Sequence, residues 1–419
     1  MTASIDNAHI PTPAAKDRGL LAQAFIAGVF LVIMCTQYWP IEGYGTSMVK
    51  VPMMCLSPLI LLFTLRSEAS TKVIIACGLC ILWKLLVAYF QPLGFRPQTL
   101  AYSMAFFFTY MMFYTLVHNG CFTLARARIL LESLLWAYII VLIIQQLYSL
   151  AGGGEWALIN LSFARNHVLK CQSLSQEPSS SGRIMGALFY ALLKIWEYQK
   201  GKRMGLSDLL KEHWLLTAAF IYSMVSMQSA TAMLSLLVLT LYFLSVKYVI
   251  PLVFLFIFLP VIQEITQSHE LDRLLAVVGS TATGDVGEVI SADGSAAARI
   301  VPMLNLLHAD FSDIYLWLGH GIDTGFELIQ SADGWKYALV GEVLDIGLIG
   351  YLLSLILVFT CAIRPFISLP TLMFFIGIGG GTGNIAYTWG ILMIFTVSSF
   401  FFAQNLRGIG SQAANGDRE

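Results

Sequence analysis

The sequence predicts an all-α, polytopic membrane protein with about twelve transmembrane helices, on the evidence of its composition and its apolar runs. Of the 419 residues, 57% are hydrophobic and only 12% are charged, whereas soluble domains carry about 25% charged residues. Apolar runs recur along the chain, and many approach the roughly 20 residues that cross a bilayer as a helix. These observations exclude an ordinary soluble domain.

The apolar runs predict twelve spans within a single transmembrane domain, residues 1–419. The spans lie near residues 20–40, 48–65, 73–90, 99–117, 129–150, 180–198, 213–228, 231–247, 248–265, 337–361, 366–381 and 385–403. Two long runs are divided by short breaks, at 228–231 and 379–384, where glycine and small polar residues disfavour one continuous helix. The run that follows the polar N-terminus is too long for a signal peptide, so we expect the first span to be retained.

The distribution of basic residues predicts that both termini are cytoplasmic. Short loops rich in Lys and Arg stay on the cytoplasmic side of a membrane. With both termini inside, 15 of the 24 basic residues fall on that side, eight fall on the other, and Lys84 lies within a span. The strongest anchor is the basic run at 200–203, together with Lys211.

Two loops on the predicted external side are much longer than the others. The first comprises residues 151–179, and the second comprises residues 266–336, between the ninth and tenth spans. The second loop is long enough to form a cap with short helices of its own. Within it, residues 293–308 are typical of a capped helix, with Asp293 or Ser295 as the N-cap.

A polar stretch at 171–183 lies between two hydrophobic runs. Pro178 suits the first position of a helix, because the N–H that proline lacks would have no partner there. The sequence therefore predicts a helix from Pro178 to Tyr198, with Glu177 beside its N-terminus. Such an N-terminus carries free N–H groups and partial positive charge, which suit an anion or a phosphate. An ordinary loop that caps a membrane helix explains the stretch equally well.

Basic residues on the predicted external side are candidates for binding an anionic ligand. The positive-inside tendency disfavours them there, and arginine can bind a phosphate through two hydrogen bonds. Arg165 and Arg183 belong to the first loop and its following helix, and Arg299 belongs to the second loop. The alternative is that they pair with nearby carboxylates.

Two external residues are candidate general bases. Glu177 is placed to accept a proton from a hydroxyl group, or merely to accept N–H bonds at a helix start. His320 lies between Gly319 and Gly321, where a tight backbone presents the imidazole to a cavity, and imidazole titrates near neutral pH. A structural hydrogen bond is the alternative for His320.

Three charged residues lie within predicted spans: Lys84, Glu342 and Asp345. Charge inside a membrane is costly and usually faces a cavity or a partner. Glu342 and Asp345 are three residues apart on one helix face, so they are expected to meet Lys84 or a substrate. The same residues would suit a proton-coupled transporter.

The sequence holds no pattern typical of a cofactor or metal site. It has no phosphate-binding glycine-rich loop, no His-x-x-x-His pair and no nucleophile elbow. The seven cysteines lie mostly within apolar runs and indicate neither a disulfide framework nor a zinc site. Chemistry driven by nucleotide hydrolysis is therefore not supported.

Four short motifs in this many-span chain resemble the O-antigen polymerase/O-antigen ligase family of bacterial membrane glycosyltransferases. They are Gln176-Glu-Pro-Ser179, Ser295-x-x-x-Arg299, Leu318-Gly-His-Gly321 and Gly347-Leu-Ile-Gly350. The Glu-Pro-Ser feature is most similar to the polymerase branch, which builds exopolysaccharide or O-antigen. The resemblance covers the layout of most of the chain.

The resemblance implies a glycosyl transfer without metal or cofactor, at the outer face of the bacterial inner membrane. A sugar hydroxyl of one lipid-linked repeat unit attacks the anomeric carbon of another chain, and polyprenyl pyrophosphate leaves. The implied partners are polyprenyl-pyrophosphate-linked saccharides, membrane lipid and a chain-length regulator protein. No nucleic acid is implied.

The resemblance also suggests roles for particular residues. Arg299 matches the loop arginine of the family and is the first choice for binding the pyrophosphate. Arg165, from the facing loop, is the second choice, and Arg183 is a further candidate. The base is either His320 or Glu177. Ligases of the family use a loop histidine that precedes an asparagine, and residues 336–342 contain no histidine here, which argues against ligase activity. A ligase, and a transporter or flippase for lipid-linked saccharide, remain the alternatives.

Overall fold

The computed structural model describes residues 14–37, 49–65, 68–91, 96–153, 169–244, 276, 279–280, 283–292, 294–325, 338–378 and 381–416, and within them all regular structure is helical. For residues 14–18, 68–69, 294–296, 298–299, 376–378 and 404–416, the backbone alone is described. The all-α prediction is therefore confirmed for this part of the chain.

Fifteen helices are found within these residues. They are α1 (Ala14–Cys35), α2 (Lys50–Thr64), α3 (Glu68–Phe90), α4 (Pro97–His118), α5 (Leu124–Leu150), α6 (Pro178–Lys200), α7 (Leu206–Glu212), α8 (Trp214–Ser226), α9 (Ala230–Phe243), α10 (Val286–Ala292), α11 (Gly294–Leu307), α12 (Ile314–Leu318), α13 (Val343–Leu357), α14 (Leu369–Ile378) and α15 (Ala386–Gly416). One turn of π-helix, Val358–Ala362, continues α13.

Five of the described helical segments are long and apolar enough to cross a membrane. They are Ser70–Phe90, Pro97–His118, Leu124–Leu150, Val343–Ala362 and Ala386–Ala403. Shorter apolar helices include α2, α8 and α9. The chain therefore has helices expected of a membrane protein, but the count of twelve spans stays a prediction, and the predicted span at 248–265 lies outside the described residues.

Helix α6 lies at the centre of the bundle. It begins at Pro178, as predicted, and packs against α5, α9, α14 and α15. Gly182 and Gly186 allow α9 to approach closely, since a Cβ at Gly182 would lie 2.5 Å from the Cβ of Ala232. Small residues of this kind let helix backbones pack together in membranes.

An aromatic cluster joins α4 to α15. The ring of Trp389 is stacked on Phe106 at 5.9 Å between centroids and meets Phe107 edge-on at 5.1 Å. The hydroxyl groups of Tyr110 and Thr396 share a hydrogen bond of 2.9 Å beside it. Because these side chains are buried, the two helices form a continuous core.

Contacts between helix ends place the polar segments at one end of the bundle. Arg183, near the start of α6, contacts Tyr387 at the start of α15. The segment before α15 meets the segment before α13, where a Cβ at Gly381 would lie 2.7 Å from the Cα of Gly341. The starts of α6, α13 and α15 therefore lie at the same end, which we call the polar end.

The basic run at 200–203, the strongest predicted cytoplasmic anchor, lies at the opposite end of α6. Lys194 pairs with Glu197 at 2.8 Å near the last turns of α6, and Lys200 pairs with Glu212 at 2.5 Å. The indole of Trp196 donates to Glu132 near the start of α5. The bundle thus separates the basic run from the polar end, as the predicted orientation requires.

Candidate active site

The segment before α6, residues 171–177, is held in place by hydrogen bonds to α5. The Ser173 hydroxyl donates to the carbonyl of Tyr138 at 2.5 Å, and the Ser173 N–H donates to Oε1 of Gln145 at 2.7 Å. Gln145 returns a bond from Nε2 to the Ser173 carbonyl at 3.2 Å. These bonds hold Ser173 at a φ of 56°, which is uncommon for a residue with a side chain.

Further bonds involve Gln37, just after α1, and Gln146 on α5, which links the residues just before this segment to α8. The Leu174 carbonyl accepts from the N–H of Gln37 at 2.8 Å, and Gln146 donates to the Leu169 carbonyl and to Ser226. Burial raises the pKa of the Cys171 thiol to about 11. Most of this polar stretch is therefore a buried structural junction, and the sequence pattern alone did not identify its partners on α5.

Glu177, like its neighbour Gln176, is an exposed residue of this segment. It precedes Pro178, and its side chain makes no capping bond to the helix, so the alternative that its carboxylate accepts N–H bonds at the helix start is not supported. Its carboxylate accepts a bond from the Ser179 hydroxyl at 3.0 Å. The carboxylate therefore stays accessible at the polar end, where it can accept a proton.

Arg183 lies one turn farther along α6 and is half-buried. It donates from Nη1 to the hydroxyl of Tyr387, and its guanidinium lies over the same ring, 5.3 Å from the centroid. Its Nε is buried and has no hydrogen-bond partner among the described residues. The guanidinium is thus oriented by one aromatic residue and keeps donor capacity for an anion.

His320 lies in the loop 319–325, which we call the His320 loop. Its ring stacks on Tyr315 with 5.3 Å between centroids, and its Nδ1 is buried without a hydrogen-bond partner in the described part of the chain. Thr324 donates to the His320 carbonyl at 3.2 Å. The ring is therefore held in place while one nitrogen stays available for a ligand or a proton.

Glycines join the His320 loop directly to α13. Gly347 has φ 70° and ψ 173°, so the helical path of α13 is interrupted there. A Cβ at Gly347 would overlap the carbonyl of Trp317, and a Cβ at Gly319 would overlap the carbonyl of Asp345. Two of the four motifs found in the sequence, Leu318-Gly-His-Gly321 and Gly347-Leu-Ile-Gly350, therefore pack backbone against backbone.

The interruption exposes carbonyl groups that other parts of the chain bind. The N–H groups of His320 and Gly321 donate to the carbonyls of Leu344 and Asp345 at 2.9 and 3.1 Å. The indole of Trp83, on α3, donates to the Ile346 carbonyl at 2.7 Å. A break inside an apolar helix is tolerated because such partners satisfy the backbone.

Two of the three intramembrane charges meet as predicted. Lys84 Nζ lies 2.5 Å from Oε2 of Glu342 and also donates to the Ser103 hydroxyl at 2.9 Å. Asp345 does not share this contact, because its Oδ1 accepts from the Gly325 N–H at 2.6 Å. The expectation that both carboxylates act from one helix face is therefore wrong: Glu342 precedes the helix, and Asp345 binds the His320 loop.

Arg299 and Arg165 are described less fully. Arg299 lies on α11, which begins at Gly294, so Ser295 lies inside the helix and is not its N-cap; residue 293 is outside the described residues. The helix packs near the start of α13 through Met303 and Leu306. The side chain of Arg299, and all of Arg165, lie outside what the structure describes.

Of the candidate residues, Glu177, Arg183 and His320 lie at the polar end, but no direct contact is found between any two of them in the described part of the chain. Glu177 and His320 form no hydrogen bond with each other in the part of the chain that is described. Arg183 contacts α15, while His320 contacts α13. The arrangement leaves an arginine, an exposed carboxylate and an imidazole around the polar end, and among the described residues no group of three or more His, Cys, Asp or Glu is placed to hold a metal ion.

Comparison with known proteins finds no match for this chain: no family model, no curated protein and no solved structure is significantly similar to it.

Proposed function

We propose that this chain is a polysaccharide polymerase of the bacterial inner membrane. It transfers lipid-linked oligosaccharide repeat units from polyprenyl-pyrophosphate donors to a growing O-antigen or exopolysaccharide chain on the periplasmic side. The proposal includes twelve transmembrane helices, cytoplasmic termini, and periplasmic loops at 151–179 and 266–336.

The observation that carries the proposal is the packing of the His320 loop onto the broken start of α13. This packing brings together two glycine-containing motifs that are distant in the sequence, 318–321 and 347–350. Gly319 and Gly347 lack a Cβ, so the two backbones can approach each other. The packing leaves His320 with an unbonded ring nitrogen at the same end as Arg183 and Glu177. An oriented base, and an arginine at the same end of the bundle whose Nε has no partner among the described residues, suit glycosyl transfer from a pyrophosphate.

The chemistry needs two kinds of group. A base, His320 or Glu177, takes the proton of the acceptor hydroxyl as its oxygen bonds to the anomeric carbon. The bond from that carbon to the pyrophosphate oxygen breaks, and the electrons leave with polyprenyl pyrophosphate. Arginines stabilise the charge that develops on the leaving group, with Arg299 as the first choice and Arg183 and Arg165 as further candidates.

The test is complementation of a deletion strain with Arg299→Ala and Arg183→Ala. Each variant should lose polymer while lipid-linked single repeats accumulate and the protein level is unchanged. Arg203→Ala is the matched control, because Arg203 binds the Tyr242 carbonyl at the basic end of the bundle. Normal chain length in both test variants would refute the arginine assignment.

The deletion strain also separates the alternatives. A polymerase deletion still attaches single repeat units to their acceptor, whereas a ligase deletion abolishes attachment. The buried ion pair of Lys84 and Glu342 is the observation that favours a flippase as the second candidate function, because charge within a span often lines a transport path. Loss of a flippase would hold the lipid-linked repeats at the cytoplasmic face, where an external glycosidase cannot reach them.

A further inference from the structure

Two adjacent residues of α3 bind residues 342–346, a segment made of the N-cap of α13 and its first four residues. Trp83 donates to the carbonyl of Ile346, which immediately precedes the break at Gly347. Lys84 binds the carboxylate of Glu342, the residue at which the segment begins. The segment is therefore held at both ends by one turn of α3.

The ion pair fixes this segment relative to α4 as well. Lys84 is buried, donates to Ser103 and lies 5.6 Å from the centroid of the Phe107 ring. A buried pair contributes little net stability, but breaking it leaves an uncompensated charge, so the partners do not separate. The pair therefore favours a single position of the segment against the bundle.

The segment in turn holds the His320 loop by three bonds. The N–H groups of His320, Gly321 and Gly325 donate to Leu344 and Asp345, at 2.9, 3.1 and 2.6 Å. These bonds span both ends of the loop. The backbone of the His320 loop is therefore linked to α3 and α4, two helices that carry none of the candidate site residues.

We propose that Trp83 and Lys84 are positioning residues: through residues 342–346 they hold His320 in place. Their effect on glycosyl transfer rests on the proposed function, whereas their effect on the loop does not. The proposal assigns the buried pair of Lys84 and Glu342 to the architecture of the polar end and not to a transport path.

The first experiment measures the loop directly, without an activity assay. His320→Cys is introduced into a Cys55→Ser background, because the other six cysteines are buried. The rate of labelling by a membrane-impermeant maleimide is compared with and without Lys84→Met. We expect labelling to become faster by about tenfold, since a loop whose support is lost opens more often.

Two further variants make the measurement specific. Lys194→Met removes a partner from the Lys194–Glu197 pair at the other end of the bundle and should leave the rate unchanged. Trp83→Phe removes the hydrogen bond to the Ile346 carbonyl and keeps an aromatic ring. The labelling rate is measured in this variant as well, in case Lys84→Met does not fold. An unchanged rate in Trp83→Phe and in folded Lys84→Met overturns the proposal.

The second experiment uses the transfer reaction with purified lipid-linked repeats. Trp83→Phe should lower kcat by about tenfold while KM changes less than twofold, because a misplaced base slows the reaction without weakening substrate binding. Lys84→Arg, which keeps the charge, should retain most of the rate. Equal loss in Lys84→Arg and Lys84→Met would overturn the assignment to the ion pair.

The two experiments separate the two proposals. Faster labelling of the position-320 thiol in Lys84→Met or Trp83→Phe, together with no transfer activity in the protein that keeps His320, would keep the positioning role and overturn the proposed function. Unchanged labelling, together with normal transfer activity in the protein that keeps His320, would overturn the positioning role and keep the function.

Discussion

Arg183 shows how one residue can be both anchored and available. Tyr387 binds one nitrogen of the guanidinium and supports its face, while Nε stays buried without a partner in the described part of the chain. A planar group with five donors can satisfy both demands, whereas an ammonium group on a flexible stem cannot.

Arg183→Lys should therefore impair the proposed reaction although it keeps the charge. We expect kcat/KM to fall by about tenfold or more, since a lysine cannot contact Tyr387 and bind a phosphate through two parallel bonds at once. The measurement is the transfer rate at several donor concentrations. Arg203→Lys, at the other end of the bundle, should keep normal kinetics, and equal rates for both variants would contradict this role.

Gln145 is a buried amide on α5, and its side chain bonds both the N–H and the carbonyl of Ser173. Gln145→Leu should lower the free energy of unfolding by about 2 kcal/mol, because it leaves buried backbone groups unbonded. Thermal unfolding in detergent measures the change. Gln176→Leu alters an exposed residue of the same segment and should have little effect; comparable losses in both variants would argue against the junction.

The sequence predicted those helix boundaries that depend on local residues. Pro178 marks the start of α6, and the predicted breaks at 228–231 and 379–384 fall where α8 gives way to α9 and α14 to α15. Proline, glycine and small polar residues act on their own backbone, whatever surrounds them. The buried junction at 171–177 was not predicted, because it depends on Tyr138 and Gln145 far earlier in the chain.

The break in α13 was also beyond local reasoning. Gly347 lies in an apolar run that is typical of a straight helix, and only the close approach of Trp317 explains the glycine. The same limit applies to the site: the sequence indicated Glu177, His320 and Arg183, but not that Tyr387 and Trp83 would support them. Residues that act through tertiary contacts leave no periodic signal.

Gly347→Ala tests whether the break is required. The backbone at Gly347, with φ 70° and ψ 173°, is one that almost only glycine adopts and costs a residue with a Cβ about 1–3 kcal/mol, and the new methyl group would also overlap the Trp317 carbonyl. We expect a clear fall in the melting temperature and faster labelling of a thiol at position 320. Gly78→Ala on α3 is the control, because nothing lies within 4 Å of its added Cβ; it should be neutral or stabilising by about 0.5–1 kcal/mol. Equal melting temperatures for both variants would contradict the packing described.

The whole bundle separates two kinds of chemistry. The basic run at 200–203 lies at one end, after the last turns of α6, while Glu177, Arg183 and His320 lie at the other. Positive charge is retained on the cytoplasmic side of a membrane. The arrangement therefore agrees with the orientation proposed from the sequence.

Reporter fusions test this orientation. Alkaline phosphatase, which is active only outside the cytoplasm, should be inactive when fused after Gly205 and active when fused after Ser312. A fluorescent protein that folds only in the cytoplasm should give the reverse pattern. Activity of the phosphatase at Gly205 would invert the bundle and place the candidate site on the wrong face for the proposed reaction.

The close packing of the His320 loop on α13 has a consequence for hydrogen exchange. The amides of His320 and Gly321 donate to carbonyls inside α13 and not to their own loop, so they should exchange with deuterium as slowly as the helix opens. The amide of Ser312, bonded only to an exposed aspartate, should exchange far sooner. Hydrogen exchange measured in detergent or nanodiscs should therefore find slowly exchanging amides at 320 and 321, in the loop between α12 and α13. Rapid exchange at these two amides would mean that the loop spends much of its time detached from α13.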